Sequence, residues 1–283
     1  MYATIAAAIV SMLLAGASGV AAASGDEAGE IVWGVLDFAP YSIPSGPHQG
    51  EGIRDKILEV LKEQLPQYRH REVQASAARI FSSMQEGRPW CMVGAVKVPE
   101  REAFGYFSLP AQVHLPQGVV VRKSRLAQFE ALGELSMDKL LAQASLRTSF
   151  HGARSYPPEV REAMDRQPQV RRHTGDAEPI RMILADRLDY AIEFPLIASY
   201  YAKQLGQEGE LAVLPLREMP DSLAGRVMCT KNEWGARVIE RVDEVLRLLR
   251  PTPRYRLINE RWYSQGDVQR VRRLYEPMLL KSD

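Results

Sequence analysis

At 283 residues, with 46% hydrophobic side chains and interspersed charges, the chain is long enough for one large domain or two ordinary ones and too apolar for a disordered segment. Lys and Arg total 36 against 35 Asp and Glu, a formal net charge of +1, which excludes bulk electrostatic capture of nucleic acid or of an acidic membrane surface. A charged partner must therefore be met by local groups, and the one basic run, Arg171-Arg172-His173, is too short to change that.

Residues 1–24 are apolar and small and carry no charged side chain. They read as a secretory signal with a small-residue cleavage site near Ala23, although the usual positive start is missing. A membrane anchor is the competing reading, and alanine and glycine dilute the run below what a span requires. No cysteine follows it that could take a lipid. Beyond it no stretch is apolar enough to cross a bilayer, so the mature chain is expected to be soluble and exported, without membrane insertion.

Glu30 to Phe38 is a short apolar run bounded by turn formers and predicts a buried strand. It ends in the stiff corner Asp37-Phe38-Ala39-Pro40-Tyr41. Ile53, Ile57, Leu58, Leu61 and Leu65 share one helical face, and Pro66 stops that helix. A strand around Val73, a helix from Ala77 to Gln85 closed by Gly87, and a strand from Trp90 to Ala95 follow. This alternation predicts a parallel sheet with right-handed crossovers. It restarts at a strand from Gln117 to Arg122. A helix capped by Ser136, a strand from Ala144 to Ser149, a helix from Pro157 to Asp165 and a strand from Val170 to His173 come next. Asp176 then caps a helix, Leu188 to Glu193 is a strand, and Pro195 opens a helix to Gln204. Strands at 211–216 and 225–230 precede an all-helical end from Trp234 to Leu280, which is expected to pack back on the first unit.

The stretch from Trp90 to Pro110 is the most suggestive for chemistry. A buried strand delivers Arg101 to its carboxyl-end loop, where ligands of open α/β sheets bind and where a guanidinium can grip a carboxylate with two hydrogen bonds. The plain alternative is a surface arginine paired with Glu100 or Glu102. Cys91 and Cys229 are the only cysteines; they form a disulfide or are two buried thiols. Neither they nor the five scattered histidines have metal-ligand spacing, and no cofactor motif is present.

Four segments together resemble the periplasmic solute-binding proteins of the amino-acid-binding branch, family 3 with the type II periplasmic binding fold. These are Asp37-Phe-Ala-Pro-Tyr41, the helix start Gly52-Ile-Arg-Asp55, the segment Pro99-Glu-Arg-Glu-Ala-Phe-Gly-Tyr-Phe-Ser108, and Leu184-Ala-Asp-Arg-Leu-Asp189-Tyr-Ala-Ile. The third is the most specific, because Arg101 keeps the family's interval to Ser108. The resemblance implies an α/β fold of two lobes, each a sheet flanked by helices, joined by two crossover strands. Lobe one is then residues 26–118 plus 228–283 and lobe two residues 119–227. The same arrangement brings Cys91 and Cys229 together as a disulfide tying the returning crossover strand to the first sheet.

Carried over position by position, the resemblance implies that Arg101 clamps a ligand carboxylate, with Gly94 on the strand before it. Asp37, Phe38 and Tyr41 form the corner over which a ligand packs, and simple lobe packing is the alternative for the two rings. Gly152, Arg154 and Ser155 belong to the loop that meets the carboxylate from lobe two. Two departures stand out. Gly94, Ala95, Val96 and Lys97 occupy positions where the family places hydroxyl side chains, and Phe194 stands where an aspartate receives an ammonium group. Glu193, one position away, is the candidate to take over as a ligand-binding residue beside Phe194, although on a strand a one-residue shift points to the opposite face.

The implied function is closure of a monomeric protein around a small carboxylate-bearing solute, amino-acid-like or another organic acid, for delivery to a membrane transporter or sensor. The alternatives are a periplasmic lyase of the cyclohexadienyl dehydratase kind, with Glu193, His151 or Asp37 as general acid, and a sensory or partner-binding protein whose cleft no longer takes a ligand.

Overall fold

A computed structural model describes residues 29–152 and 154–281; the predicted signal stretch lies outside them. Strands β1 (Glu30–Val35), β2 (Arg69–Gln74), β3 (Trp90–Val96), β4 (Gly105–His114) and β10 (Leu223–Thr230) form one sheet in the order β2-β1-β3-β10-β4. β1 runs parallel to β2 and β3, as the strand-helix alternation predicts, and β10 is antiparallel to both β3 and β4. Burial follows position in the sheet. Central β3 is buried from Trp90 to Ala95, and edge strand β2 exposes its charged residues, which is how natural sheets blunt an edge.

The second sheet is built from β5 (Gly118–Arg122), β8 (Tyr190–Glu193) and β9 (Leu211–Leu214) in the antiparallel order β8-β5-β9. The short parallel pair β6 (Phe150–His151) and β7 (Arg172–His173) extends it through a bridge between Thr148 and Tyr190. Separate apolar clusters pack around it, one on Phe129 and Phe150 and one on Ile180 and Ile183. The molecule is thus a two-lobe α/β fold with helices flanking each sheet.

The carboxyl-terminal helices do pack on the first sheet. Val238, Val242, Tyr255, Val271 and Tyr275 share one buried cluster with Ile31, Trp33 and Cys91. Polar ties fix them: the Tyr255 hydroxyl donates to the Ala111 carbonyl at 2.9 Å, and the Val113 N–H donates to Asn259 Oδ1 at 2.9 Å.

Three expectations need correction. The segment 105–114, to which the sequence pattern assigns no strand, is the ten-residue strand β4; Gly105 and Pro110 mask it, and irregular register against β10 accommodates Pro110. The strand predicted over Ala144–Ser149 forms only at Phe150–His151. Asp176 stands at the amino end of helix Ala177–Leu184, yet it has helical backbone angles and makes no side-chain cap. Its carboxylate is engaged elsewhere, as described below.

Cys91 and Cys229 are directly opposed across β3 and β10 and form a disulfide with a Cα separation of 4.1 Å. Both sulfurs are fully buried in the first core.

Candidate functional site

The corner after β1 is anchored to the start of helix Ile53–Gln64. The Arg54 N–H donates to the Tyr41 carbonyl at 2.8 Å, and Asp55 Oδ2 accepts from the Gly52 N–H at 2.9 Å and the Ile43 N–H at 2.8 Å. A side chain at Gly52 would sit 2.5 Å from the Tyr41 oxygen, so glycine is required for this close approach. The result places the Arg54 side chain against the corner's rings, 4.9 Å from the Tyr41 centroid and 5.5 Å from that of Phe38. Phe38 and Tyr41 stack at 5.0 Å, and Tyr41 stacks in turn on His114 at 5.0 Å.

Arg54 is the residue that sequence reasoning missed. It is 8% exposed, its Nε has no hydrogen-bond partner, and no carboxylate pairs with it among the described residues. Burial lowers its pKa to about 10, with Tyr41 and Asp55 working in the opposite sense. The backbone of Gly94, at φ +84, lies so close that a Cβ there would be 2.1 Å from Arg54 Nε. Gly94 sits where the register of β3 against β10 shifts, between Ala95 paired to Arg226 and Val93 paired to Val227, as in a β-bulge. A buried arginine one residue into a helix has no sequence periodicity to betray it; the Gly52-Ile-Arg-Asp55 motif was the available signal.

Arg101 is in a single turn of helix, Pro99–Glu102, after β3. Its guanidinium donates to the Val96 carbonyl at 2.9 Å and lies 5.1 Å from the Phe81 ring. It forms no ion pair with Glu100 or Glu102; Glu102 pairs with Lys97. Burial lowers the Arg101 pKa, and Arg101 is near enough to Arg54 to disfavour its charge. Two guanidiniums therefore gather at the carboxyl end of β3 without a carboxylate between them.

Lobe two contributes a different electrostatic unit. Arg154, 8% exposed, pairs with Glu193, which is 1% exposed, and with Asp176 at 2.9 Å. Glu193 also accepts from the Phe194 N–H at 2.7 Å, and His151 Nε2 lies 3.2 Å from Asp176. Burial pushes the Glu193 carboxyl up, against the pull of Arg154. Burial raises Asp176 as well, but His151 and Arg154 outweigh it and hold that carboxyl below its usual range. For Arg154 burial opposes the charge, and its two acid partners prevail and raise its pKa.

This unit meets lobe one directly. The Arg154 guanidinium is 5.0 Å from the Phe38 ring and 5.6 Å from Phe194, and Phe194 meets Phe38 and Tyr41 edge to face at 6.4 and 5.8 Å. Phe38, Tyr41, Gly94, Arg154, Glu193 and Phe194 are thus gathered around Arg54 or across from it. The strand-parity expectation for Glu193 does not exclude it from this unit, because Arg154 reaches it from the facing loop. Asp37 is exposed, and so are Gly152 and Ser155. The Gly152 N–H donates to the His173 carbonyl at 2.8 Å, as part of the short parallel pair, and the Ser155 carbonyl accepts from Gln117 at 3.1 Å. Among the described residues, no group of three or more His, Cys, Asp or Glu is placed to hold a metal ion, and no helix is long and apolar enough to cross a membrane.

No family model matches the chain, and neither does any curated protein. Solved structures do match. An ancestral cationic amino acid solute-binding protein aligns at TM-score 0.65 and 18% identity, over 83% of this chain and 96% of that one. A histidine kinase sensor domain with similarity to periplasmic binding proteins aligns at 0.61 and 17% identity, over 84% and 97%. An amino acid ABC transporter substrate-binding protein from Streptococcus pneumoniae, bound to L-arginine, aligns at 0.61 and 21% identity, over 83% and 93%. The fold is that of the two-lobe periplasmic binding proteins. Within it, proteins that serve transporters and domains that serve sensors are both represented among the similar structures.

Proposed function

We propose that the chain is a solute-binding protein of the periplasm, exported by its amino-terminal signal, whose lobes close on a small carboxylate-bearing molecule and present it to a membrane transporter or sensor. The closing bodies are residues 26–118 with 228–283 and residues 119–227, acting as a monomer. The observation that carries this reading is Arg54, a buried cation with no paired carboxylate, beside Arg101 and under an aromatic corner. A buried charge is costly unless it is paired, so the pair of guanidiniums is best accounted for by an anionic solute. Arg101 supplies a second grip, and Phe38, Tyr41 and Phe194 supply the apolar wall. Of the three acids a lyase could use, Glu193 is disfavoured because its two oxygens are taken by Arg154 and the Phe194 N–H.

The test is a thermal-shift and calorimetric screen of the chain from about residue 25 against amino acids, hydroxy acids, dicarboxylates and aromatic acids. A hit whose affinity falls about 10- to 100-fold in Arg101→Ala and in Arg54→Ala, the worth of a charge-assisted hydrogen bond, supports the reading. Unchanged affinity in both variants overturns it.

A further inference from the structure

The charge inventory at the contact between the lobes is one-sided. On the lobe-one side are two guanidiniums that form no ion pair, Arg54 and Arg101, with Asp55 and Glu100 near enough to favour their charges without pairing. Asp55, next to Arg54 in sequence, has its carboxylate turned to the N–H groups of Gly52 and Ile43. On the lobe-two side the acids Glu193 and Asp176 are both bound to Arg154, and Asp37 is exposed at the corner. The other buried polar side chains of lobe one at this edge are neutral donors and acceptors. Gln112 has neither amide atom partnered, and His114 has its Nε2 unpartnered; the two flank Gly225, and His114 stacks on Tyr41.

We propose that the solute is a carboxylic acid without an ammonium group, such as a hydroxy, keto or dicarboxylic acid, and that Arg154 is the chain's own replacement for the ammonium an amino acid would bring. This rests on the reading of the cleft as a solute site. An ammonium entering here meets two guanidiniums that form no ion pair and finds the buried Glu193 already bonded, with only the exposed Asp37 left at the corner, so it is desolvated without a buried partner, the arrangement by which sites reject a close analogue. A carboxylate meets Arg54 and Arg101, and a hydroxyl or carbonyl can be met by a neutral amide or imidazole. Phe194 adds to the rejection, since an apolar ring stands at the position where the resemblance places an ammonium-accepting aspartate.

Isothermal titration of the chain from residue 25 with matched pairs tests this: L-lactate against L-alanine, phenyllactate against phenylalanine, and 2-hydroxyglutarate against glutamate. The expected result is at least one pair in which the hydroxy acid binds about tenfold or more tightly, with no pair reversed. An amino acid that binds as well as or better than its hydroxy partner overturns the inference while leaving the solute-binding reading intact. Absence of binding by every member of the panel overturns the solute-binding reading and this inference with it. As a second arm, Arg154→Met frees Glu193 and Asp176, and the discrimination in that variant is expected to narrow to threefold or less. A folded Arg154→Met protein, verified by near-ultraviolet circular dichroism, that keeps the original discrimination overturns the role given to Arg154.

Discussion

The guanidinium of Arg154, carried on a loop of the second lobe, lies 5.0 Å from the ring of Phe38 in the first lobe while it pairs with Glu193 beneath it. One cation thus serves two attachments, an ion pair within its own lobe and a ring contact across the cleft. Removing it leaves the buried Glu193 carboxylate without its cation and the half-buried Asp176 with His151 alone. Arg154→Met is expected to cost about 3–5 kcal/mol, the usual penalty for leaving a buried charge unpaired, and to lower the melting temperature by roughly 10 °C. Urea titration gives the free energy directly, and a loss below about 1 kcal/mol rejects the buried pair as a stabilising element.

Gly94→Ala is the sharpest probe of the lobe-one pocket. The new methyl group has to displace Arg54, and φ +84 is strained for any residue with a Cβ. The variant is expected to lose about 1–3 kcal/mol of stability and most of its ligand affinity. Retained affinity in a folded Gly94→Ala protein would separate Arg54 from the binding site.

The disulfide closes a sequence separation of 138 residues. In the chain-entropy model a loop of that length is worth about 5 kcal/mol. The double variant Cys91→Ala/Cys229→Ala is therefore expected to unfold at a clearly lower urea concentration than the oxidised protein. Addition of a reductant to the folded protein is expected to act slowly, because both sulfurs are buried. Equal midpoints for the oxidised and Cys-free proteins would show that the bond adds nothing.

His173 gives the protein a defined acid sensitivity. Burial, reinforced by His151, holds its pKa down to about 4, while in the unfolded chain a histidine titrates near 6.5. The folded state thus keeps the ring neutral where the unfolded state takes up a proton. Its stabilising contribution is complete above about pH 6.5 and is lost as pH falls from there towards 4. Burial and Arg54 depress His114 in the same direction. Measured relative to His173→Gln, the wild type is expected to lose stability on going from pH 7 to pH 5. A difference that does not change with pH rejects the depressed pKa.

Much of the fold was legible because its determinants are local. The helices Ala77–Gln85 and Pro195–Gln204 lie where apolar spacing, Gly87 and Pro195 put them. The Cys91–Cys229 bond followed from topology, once the resemblance placed the two strands side by side. What escaped was decided by tertiary partners. Asp176 carries the composition of a helix cap, but Arg154 and His151 claim its carboxylate. Strand β4 hides a proline that only an irregular pairing with β10 explains. The spacing to Ser108 pointed to Arg101 and gave no sign that Arg54, buried and without a carboxylate partner, would be its neighbour.

Strand β10 lies between β3 and β4, with hydrogen bonds to both. On the ribosome, more than a hundred residues separate the synthesis of β4 from that of β10, an interval of roughly ten seconds at ordinary elongation rates. Until then β3 and β4 have no common neighbour, and Cys91 has no partner. The amino-terminal lobe is therefore the first to be made and the last to be finished, and a truncation before residue 223 removes the middle of its sheet rather than its edge.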